Sequence, residues 1–335
     1  MNTAPRKTFT IGTRKSNLAV LQTEIVRNAL IARWPDCQFN VHTRDAAGDL
    51  NKVTPLRELT SKNLWTEELE EMLLAKELDL VVHSLKDVPT QIPEACKLGA
   101  FMKREDPRDA LVVKKGQPKT TLAELPAGSV VGTSSVRRTA QIGRHYPHLK
   151  VIDVRGNIDT RLAKLDAEDG PFTCIILAAA GLLRTGYEDR ISQYLDSKNG
   201  KMLHAVGQGA LGVEIRADDE KMVEMLREIG DQKTTFACLA ERNLLRTLEG
   251  GCSAPLGVET EWVPDASDAS GKGELLRLRC IVTSVDGREA VEVEKDCGVQ
   301  TPEQAEAFGK AVADEMVEQG AGKILEVIQQ KKKAW

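Results

Sequence analysis

Short apolar runs alternate with amphipathic stretches through the first half of the chain, and this alternation strongly restricts the folds open to it. Between the runs, residues 17–33 and 66–76 place leucine, isoleucine and methionine side chains near one helical face. Strands that alternate with core-facing helices predict an α/β fold with mainly parallel sheets. The predicted strands are 8–11, 78–82, 110–113, 129–131, 151–154 and 174–178.

The pattern changes after Gly207. A helical stretch at 234–248 is followed by two apolar runs, 275–283 and 290–294, and then by a helical region at 302–330. The two runs predict an antiparallel pair in a small α+β domain. Because 335 residues exceed what one hydrophobic core usually organises, two or three domains are expected.

Three polar stretches interrupt these elements. Residues 103–108 are charged and include Pro107, and residues 196–201 are also polar, so both are candidate hinges. The stretch 264–273 is rich in Asp, Ser and Gly and predicts an exposed loop.

Composition argues against several classes of protein. Lys and Arg number 46 against 50 Asp and Glu, and the net charge of -4 argues against general affinity for nucleic acid or for an anionic membrane. No run approaches the roughly 18 apolar residues of a membrane helix, and residues 1–10 lack the apolar stretch of a secretory signal. These features predict a cytoplasmic protein that binds neither nucleic acid nor membrane.

The cysteines and histidines do not indicate a disulfide framework or a metal site. The seven cysteines are odd in number and contain no C-x-x-C pair, and the five histidines lack metal-ligand spacing. No metal is predicted. The chemistry is expected to come from side chains or from an organic cofactor.

Cations stand at predicted helix starts, where acidic residues are usual because the unpaired N–H groups and the helix dipole are positive. One strand leads into Gly12-Thr13-Arg14-Lys15-Ser16, and another leads into Gly132-Thr133-Ser134-Ser135-Val136-Arg137-Arg138. Such an arrangement lowers stability unless an anion binds there. An anion would accept hydrogen bonds from backbone N–H groups, hydroxyls and guanidiniums together.

Two further strand exits repeat the arrangement. The run 151–154 leads into Arg155, with Arg161 in the next helix, and the run 174–178 is followed by Arg184. Ligands bind outside the carboxyl ends of strands in open α/β sheets, so the four clusters together predict a ligand with several carboxylates or phosphates. Taken singly, each arginine is also explained by a surface ion pair.

An acid lies among the cations at a fifth strand exit. The run 78–82 leads into His83-Ser84-Leu85-Lys86-Asp87, and Pro89 keeps Val88 extended. The Asp87 carboxylate is a candidate for stabilising a cationic intermediate or for handling a proton. The alternative is a buried salt bridge to Lys86 or to an arginine.

Cys252 lies in a loop, Glu249-Gly250-Gly251-Cys252-Ser253-Ala254-Pro255, rather than in a strand or helix. A thiol on a glycine turn is able to reach a ligand. From the residues alone, an inert buried cysteine is the commoner case.

Eight blocks of the sequence, in order, resemble the porphobilinogen deaminase family, and they span roughly residues 9–258. The blocks are IGTRKSNLAVLQT, SKNLWTEELE, VVHSLKDVPT, GTSSVRRTAQ, VRGNIDTRLAKLD, LAAAGLLR, AVGQGALGVEIR and EGGCSAPLG.

The resemblance implies an α/β fold with two periplasmic-binding-protein-like (type II) domains, with mainly parallel sheets around a cleft, plus a third small α+β domain. It implies that domain 1 comprises residues 1–104 and 204–223. Domain 2 comprises residues 105–203, and domain 3 comprises residues 224–335 and carries Cys252.

The resemblance also implies the reaction. Four porphobilinogen molecules condense head to tail with loss of ammonia, and hydrolysis gives hydroxymethylbilane for tetrapyrrole (haem) biosynthesis. The growing chain is built on a dipyrromethane cofactor, covalently bound to Cys252 through a thioether. A monomer with this small-molecule substrate is expected.

Particular residues match the family's functional positions. Asp87 matches the catalytic carboxylate, and Trp65, where many relatives carry Phe, is an aromatic able to stack on a pyrrole. Cofactor contacts are implied for Lys86, Asp87, Ser135, Arg137 and Arg138. The implied substrate-binding residues are Arg14, Ser16, Trp65, Ser84, Lys86, Ser135, Arg137, Arg138, Arg155, Arg161, Arg184 and Gln208.

Two other functions fit parts of the pattern. A solute-binding protein would share the anion-binding arginines, but it needs neither Cys252 nor Asp87 and would normally be exported. A phosphate-ester enzyme would use the hydroxyl-rich helix starts, but the chain has no Walker pattern and no G-x-G-x-x-G.

The role of Cys252 is testable by mass. We expect Cys252→Ser to fold but to lack covalent cofactor, because a hydroxyl does not readily form the corresponding bond to an activated pyrrole. Intact-mass measurement should find wild type heavier than its sequence by two pyrrole units and the variant at its sequence mass. A variant that still carries the added mass would contradict attachment at Cys252.

Overall fold

The structure is a computed structural model that describes residues 7–45, 65–248, 255–268 and 270–333. Contacts divide the chain into two units. The first unit comprises residues 1–105 and 210–235, and the second comprises residues 106–209 and 236–335. No helix in the described ranges is long and apolar enough to cross a membrane.

Thirteen strands and nine α-helices are found in the described ranges. The strands are β1 (Thr8–Arg14), β2 (Gln38–Arg44), β3 (Leu80–Ser84), β4 (Cys96–Phe101), β5 (Asp109–Val113), β6 (Val130–Gly132), β7 (Lys150–Ile152), β8 (Cys174–Ala178), β9 (Ile191–Leu195), β10 (Leu211–Arg216), β11 (Leu256–Pro264), β12 (Glu274–Thr283) and β13 (Ala290–Cys297). The helices are α1 (Asn17–Arg33), α2 (Glu67–Leu74), α3 (Val136–His145), α4 (Ile158–Asp166), α5 (Ala179–Arg184), α6 (Glu220–Arg227), α7 (Gln232–Leu248), α8 (Pro302–Glu318) and α9 (Ala321–Lys333).

The first unit contains a five-stranded sheet with the order β2-β1-β3-β10-β4. β1 pairs in parallel with both β2 and β3, whereas β10 is antiparallel to its two neighbours. Four strands therefore run one way and β10 runs the other. The chain returns to this sheet through β10, after it has passed through the second unit.

The second unit repeats this arrangement with the order β7-β6-β8-β5-β9. β6 pairs in parallel with β7 and β8, and β5 is antiparallel to β8 and β9. In each sheet the reversed strand is the first one after the chain crosses into that unit from the other. The expected class, two type II α/β domains with mainly parallel sheets, is confirmed by this shared order.

Helices cover both faces of each sheet, which explains why the central strands read as continuous apolar runs. All five residues of β5 are buried, as are the first four of β3 and of β8. Along β3 the faces alternate: Leu80 and Val82 pack with α1 residues, whereas Val81 packs with Leu69 and Leu73 of α2.

The C-terminal part of the second unit is a three-stranded antiparallel sheet with the order β11-β12-β13. α7, α8 and α9 contribute to one core with its inner face. The outer face is a ladder of ion pairs centred on Arg277 and Arg279. This confirms the small α+β domain and the predicted pair β12–β13. β11 was not predicted from the sequence, because Gly257 and Thr260 weaken its apolar alternation. In the two five-stranded sheets, β2, β4, β9 and β10 were not predicted either.

One candidate hinge coincides with a boundary between units and one does not. The stretch 103–108 spans the division after Glu105, whereas 196–201 lies inside the second unit. There the Asp196 carboxylate accepts N–H bonds from Lys198 and Asn199 and closes a turn. The chain leaves this unit after Gly209 instead. The three-domain division at residues 104, 203 and 223 stays a prediction.

Gly309 of α8 lies against the backbone of Ala240 in α7, and a methyl group there would overlap the Ala240 carbonyl. We expect Gly309→Ala to lower the free energy of unfolding by about 1–3 kcal/mol, because the two helices must separate. Chemical denaturation measures this. Gly322→Ala in α9 is the control, since the new methyl group would make an ordinary contact 3.8 Å from Val317. Equal stability of the two variants would contradict the close approach.

Candidate active site

The first strand exit places Arg14 and Ser16 at the start of α1. The Ser16 hydroxyl accepts the Ala19 N–H at 3.4 Å and so caps the helix. α1 has no acidic residue in its first turn. The helix start without acidic residues that the sequence predicts is therefore present. The Ser16 hydroxyl binds a backbone N–H of the same helix.

The turn that follows β3 is a single 3-10 turn, Leu85–Asp87. Leu85 is buried and donates its N–H to the Ala210 carbonyl at 3.0 Å, while the Ser84 hydroxyl donates to Gln22 Oε1 at 2.9 Å. Lys86 is exposed and Asp87 is half-buried. The turn therefore has a fixed base and carries its two charged side chains outward.

Arg14, Trp65 and Asp87 meet at this edge of the sheet. Arg14 Nη1 lies 3.6 Å from Asp87 Oδ2, and the Arg14 guanidinium lies 4.2 Å from the centroid of the Trp65 ring. β1 and β3 are parallel neighbours, which brings their carboxyl ends together. The alternative considered from the sequence, a salt bridge between Asp87 and an arginine, is therefore formed with Arg14, but the two side chains are partly exposed, at 19% and 30%, rather than buried.

In the second unit, Ser135 begins α3 and its hydroxyl accepts the Arg138 N–H at 3.4 Å. α3 also lacks an acidic residue in its first turn. Unlike Arg14, the Arg137 and Arg138 side chains are buried, each only 7% exposed. Two buried guanidiniums need a counter-charge.

Asp109, the first residue of β5, supplies that charge and is 0% exposed. Its Oδ2 lies 2.7 Å from Arg137 Nη1, and its Oδ1 lies 2.7 Å from Arg138 Nη2 and 2.9 Å from Gln208 Nε2. The guanidiniums also donate to the carbonyls of Leu203 and Ile176. Asp109 was not predicted as a site residue, although an acid directly before the apolar strand predicted at 110–113 was a usable signal.

The electrostatics of this cluster follow from one acid between two cations. Burial alone would raise the pKa of Asp109, but the adjacent Arg137 and Arg138 guanidiniums hold it well below its ordinary value. With two cations and one anion, the cluster carries a net charge of about +1. Arg138 Nε is buried and has no hydrogen-bond partner among the described atoms. Both features favour an additional anion.

The other predicted arginines follow the neighbouring strands of the same sheet. Arg155 is half-buried after β7, Arg161 donates from Nε to the Gly156 carbonyl at 2.6 Å, and Arg184 donates from Nη2 to the Gly209 carbonyl at 2.8 Å. Because β7, β6 and β8 are parallel neighbours, α4, α3 and α5 all begin at one sheet edge. Unlike α3, α4 has an acid, Asp159, in its first turn.

The predicted site residues thus fall into two groups, each within one unit. The first unit holds Arg14, Ser16, Trp65, Ser84, Lys86 and Asp87, and the second holds Ser135, Arg137, Arg138, Arg155, Arg161, Arg184 and Gln208. Cys252 lies outside the described residues. Within the described ranges, no three His, Cys, Asp or Glu side chains are grouped to hold a metal ion.

Two family models match almost the whole chain. One, described as "Porphobilinogen deaminase, dipyromethane cofactor binding domain", matches residues 9–224. The other, described as "Porphobilinogen deaminase, C-terminal domain", matches residues 235–318. The chain belongs to the porphobilinogen deaminase family. The family indicated by the eight sequence blocks is confirmed.

Individual relatives agree with these porphobilinogen deaminase models. A porphobilinogen deaminase of Neurospora crassa is 49% identical, covering 97% of this chain and 95% of its own. Those of Yarrowia lipolytica and Saccharomyces cerevisiae are 51% and 48% identical, covering 95% and 96% of this chain and 92% and 97% of their own. These matches cover nearly the whole chain.

The charge on Asp109 is expected to stabilise the second unit. Asp109→Asn should lower the free energy of unfolding at pH 7 by about 3–5 kcal/mol, since it leaves two buried guanidiniums without a counter-charge. The lowered pKa of Asp109 gives stability that is present above its ordinary value of 3.8 and is lost as pH falls below it. Urea unfolding at pH 7 and pH 3 should therefore show a smaller difference between wild type and variant at pH 3.

Asp296→Asn is the matched control, because it breaks an ion pair with Arg277 that is partly exposed. It should change stability little at either pH. If Asp109→Asn behaved like this control, the Asp109 cluster would not be a major source of stability.

Proposed function

We propose that the chain is an active porphobilinogen deaminase (hydroxymethylbilane synthase), a transferase of tetrapyrrole biosynthesis. It condenses four porphobilinogen molecules head to tail with loss of ammonia and then releases hydroxymethylbilane by hydrolysis. It is proposed to act in the cytoplasm as a monomer, without nucleic acid or membrane partners. The observation that carries the proposal is the meeting of Asp87, Arg14 and Trp65 at one strand edge in a chain of this family.

Carboxylate recognition is the first requirement of the reaction, since each substrate ring bears an acetate and a propionate. Arginine is suited to this because its planar guanidinium donates two parallel hydrogen bonds. We assign this role to Arg14 in the first unit and to Arg155, Arg161 and Arg184 in the second. Their backbone contacts hold Arg161 and Arg184 in place before a ligand arrives.

Charge stabilisation is the second requirement, because loss of ammonia leaves a positively charged pyrrole. The Asp87 carboxylate lies on a turn that is anchored by hydrogen bonds to Ala210 and Gln22, so it is held in place before a substrate arrives. A preorganised negative charge of this kind stabilises a developing cation more than mobile water does. Asp87 is also placed to accept or return protons, and Trp65 offers a ring face for stacking.

A dipyrromethane cofactor fits the charges of the second unit. Its carboxylates would be held by the Ser135 hydroxyl and by Arg137 and Arg138, whose cluster has excess positive charge and an Arg138 Nε without a partner among the described atoms. Cofactor contacts of Lys86 and Asp87 are proposed from the family resemblance, and the Asp87 carboxylate is suited to a ring N–H rather than to a carboxylate. When bound, the cofactor supplies the primer to which substrate rings are joined. The matching family model names this cofactor in its description.

We assign the covalent attachment to Cys252. Three of the cysteines that the structure describes are unsuited to it: burial raises the pKa of Cys96, Cys174 and Cys280 to about 12, so these groups remain thiols. Burial also raises the pKa of Cys297. A thioether requires a nucleophilic sulfur, and these environments disfavour the thiolate.

The role of Asp87 is tested by two substitutions. Asp87→Asn keeps the size of the side chain and removes its charge, so turnover of holo-protein should fall by roughly a hundredfold or more. Asp87→Glu keeps the charge in a displaced position and should retain more activity. Initial rates of hydroxymethylbilane formation measure both.

Cofactor loading must be equal before the rates are compared, and intact mass checks this. A preformed tetrapyrrole supplies the cofactor if a variant lacks it. Holo Asp87→Asn that works within a few-fold of wild type would contradict the assignment, because charge would then not be needed.

A further inference from the structure

Three ionisable side chains are buried between α2 and the sheet of the first unit. They are Glu70 of α2, His83 of β3 and Glu214 of β10, which are 4%, 6% and 0% exposed. His83 Nε2 lies 2.8 Å from Glu214 Oε2. The antiparallel pairing of β3 with β10 explains this contact. His83 lies opposite Gly212, and Glu214, two residues after Gly212, lies on the same face of β10.

The surroundings of these groups are apolar. Leu69, Leu73, Leu78 and Val81 form the core cluster at this face, together with Cys96. Glu70 Oε1 and Glu214 Oε1 are buried without a hydrogen-bond partner among the described atoms. Burial, helped by the nearby Glu214 charge, raises the pKa of Glu70. Apolar side chains would fill this space with less loss of solvation, so stability alone does not account for the ionisable groups.

The position of His83 in the chain suggests what the pair does. His83 is the last buried residue of β3, directly before Ser84 and the turn Leu85–Asp87. The same strand β10 that carries Glu214 begins beside Ala210, whose carbonyl accepts the Leu85 N–H. In addition to its ladder with β3, β10 therefore begins next to the backbone bond between Leu85 and Ala210, and its Glu214 side chain contacts His83 two residues before the turn.

We propose that His83 and Glu214 are positioning residues for the reaction, and that their contact fixes the direction in which β3 leaves the sheet and hence the place of Asp87. The proposal rests on the function proposed above. The His83 and Glu214 side chains contact each other. We therefore assign their effect on Asp87 to the backbone of β3 and of the turn. A displacement of about 1 Å at a reacting centre is able to lower turnover by as much as a hundredfold.

The same strand offers a matched control at its other end. Asp79, 2% exposed, precedes β3, accepts the Thr10 N–H at 2.8 Å on Oδ2, and has Oδ1 3.6 Å from Arg216 Nη2. It is a buried acid with a basic side chain as its partner, as Glu214 has His83. It lies far along the strand from the turn, so its loss should affect stability without moving Asp87.

The experiment compares holo Glu214→Gln with holo Asp79→Asn, each checked for cofactor by intact mass and assayed well below its melting temperature. Glu214→Gln should lower kcat by about ten- to a hundredfold. KM for porphobilinogen should change by less than about threefold, because the arginines that bind carboxylates are not disturbed. Asp79→Asn should lose at least as much stability while keeping kcat within about twofold.

Glu214→Asp is a second variant in case Glu214→Gln does not fold. The aspartate keeps a carboxyl group, shortens the side chain by one methylene and should give a kcat between those of wild type and Glu214→Gln. The proposal is overturned if kcat of the folded Glu214 variants stays within about twofold of wild type, or if Asp79→Asn loses kcat equally. Inactive wild-type holo-protein would instead overturn the proposed function, so the two failures are distinguishable.

Discussion

A buried carboxylate between two arginines determines much of what the second unit is able to do. Asp109 allows Arg137 and Arg138 to lie inside an apolar domain at the start of α3, because without it their charges would be too poorly solvated to remain there. The same carboxylate accepts from Gln208, close to where the chain leaves the unit. One acid therefore joins the start of β5, the start of α3 and the segment that leads back to the first unit.

The two units use the same sheet edge in different ways. In the second unit, cations at the helix starts outnumber the acid that holds them, which suits a polyanionic ligand. In the first unit, Asp87 lies beside Arg14 and Trp65, so a negative charge is available where a cation would form. Binding of anions and stabilisation of cations are both needed when an acidic pyrrole loses ammonia.

The elements with strong periodicity were predictable, and α1 is found at Asn17–Arg33 as its apolar spacing indicates. The central strands β1, β3, β5, β6 and β8 were predicted, because both their faces are covered, whereas β10, which is also central and buried throughout, was not. The edge strands β2, β4 and β9 were not predicted either, and β11 was not predicted because its apolar alternation is weak. At the site, the sequence indicated cations at helix starts but did not indicate that Arg137 and Arg138 are buried. Their burial depends on Asp109, which is 28 and 29 residues away from them in the chain. Whether Cys252 reaches a ligand depends on residues outside the described ranges.

The strand order of the first sheet has a consequence for synthesis on the ribosome. β4 is complete at Phe101, yet its only hydrogen-bonded neighbour among the described strands is β10, which begins at Leu211. All five strands of the second unit's mixed sheet, β5 to β9, emerge between these two points. During synthesis, β3 and β4 therefore lack their shared neighbour β10, and the edge of β3 stays unpaired until residues 211–216 have been made. A nascent chain of this kind is exposed to aggregation for longer than its order in the sequence suggests.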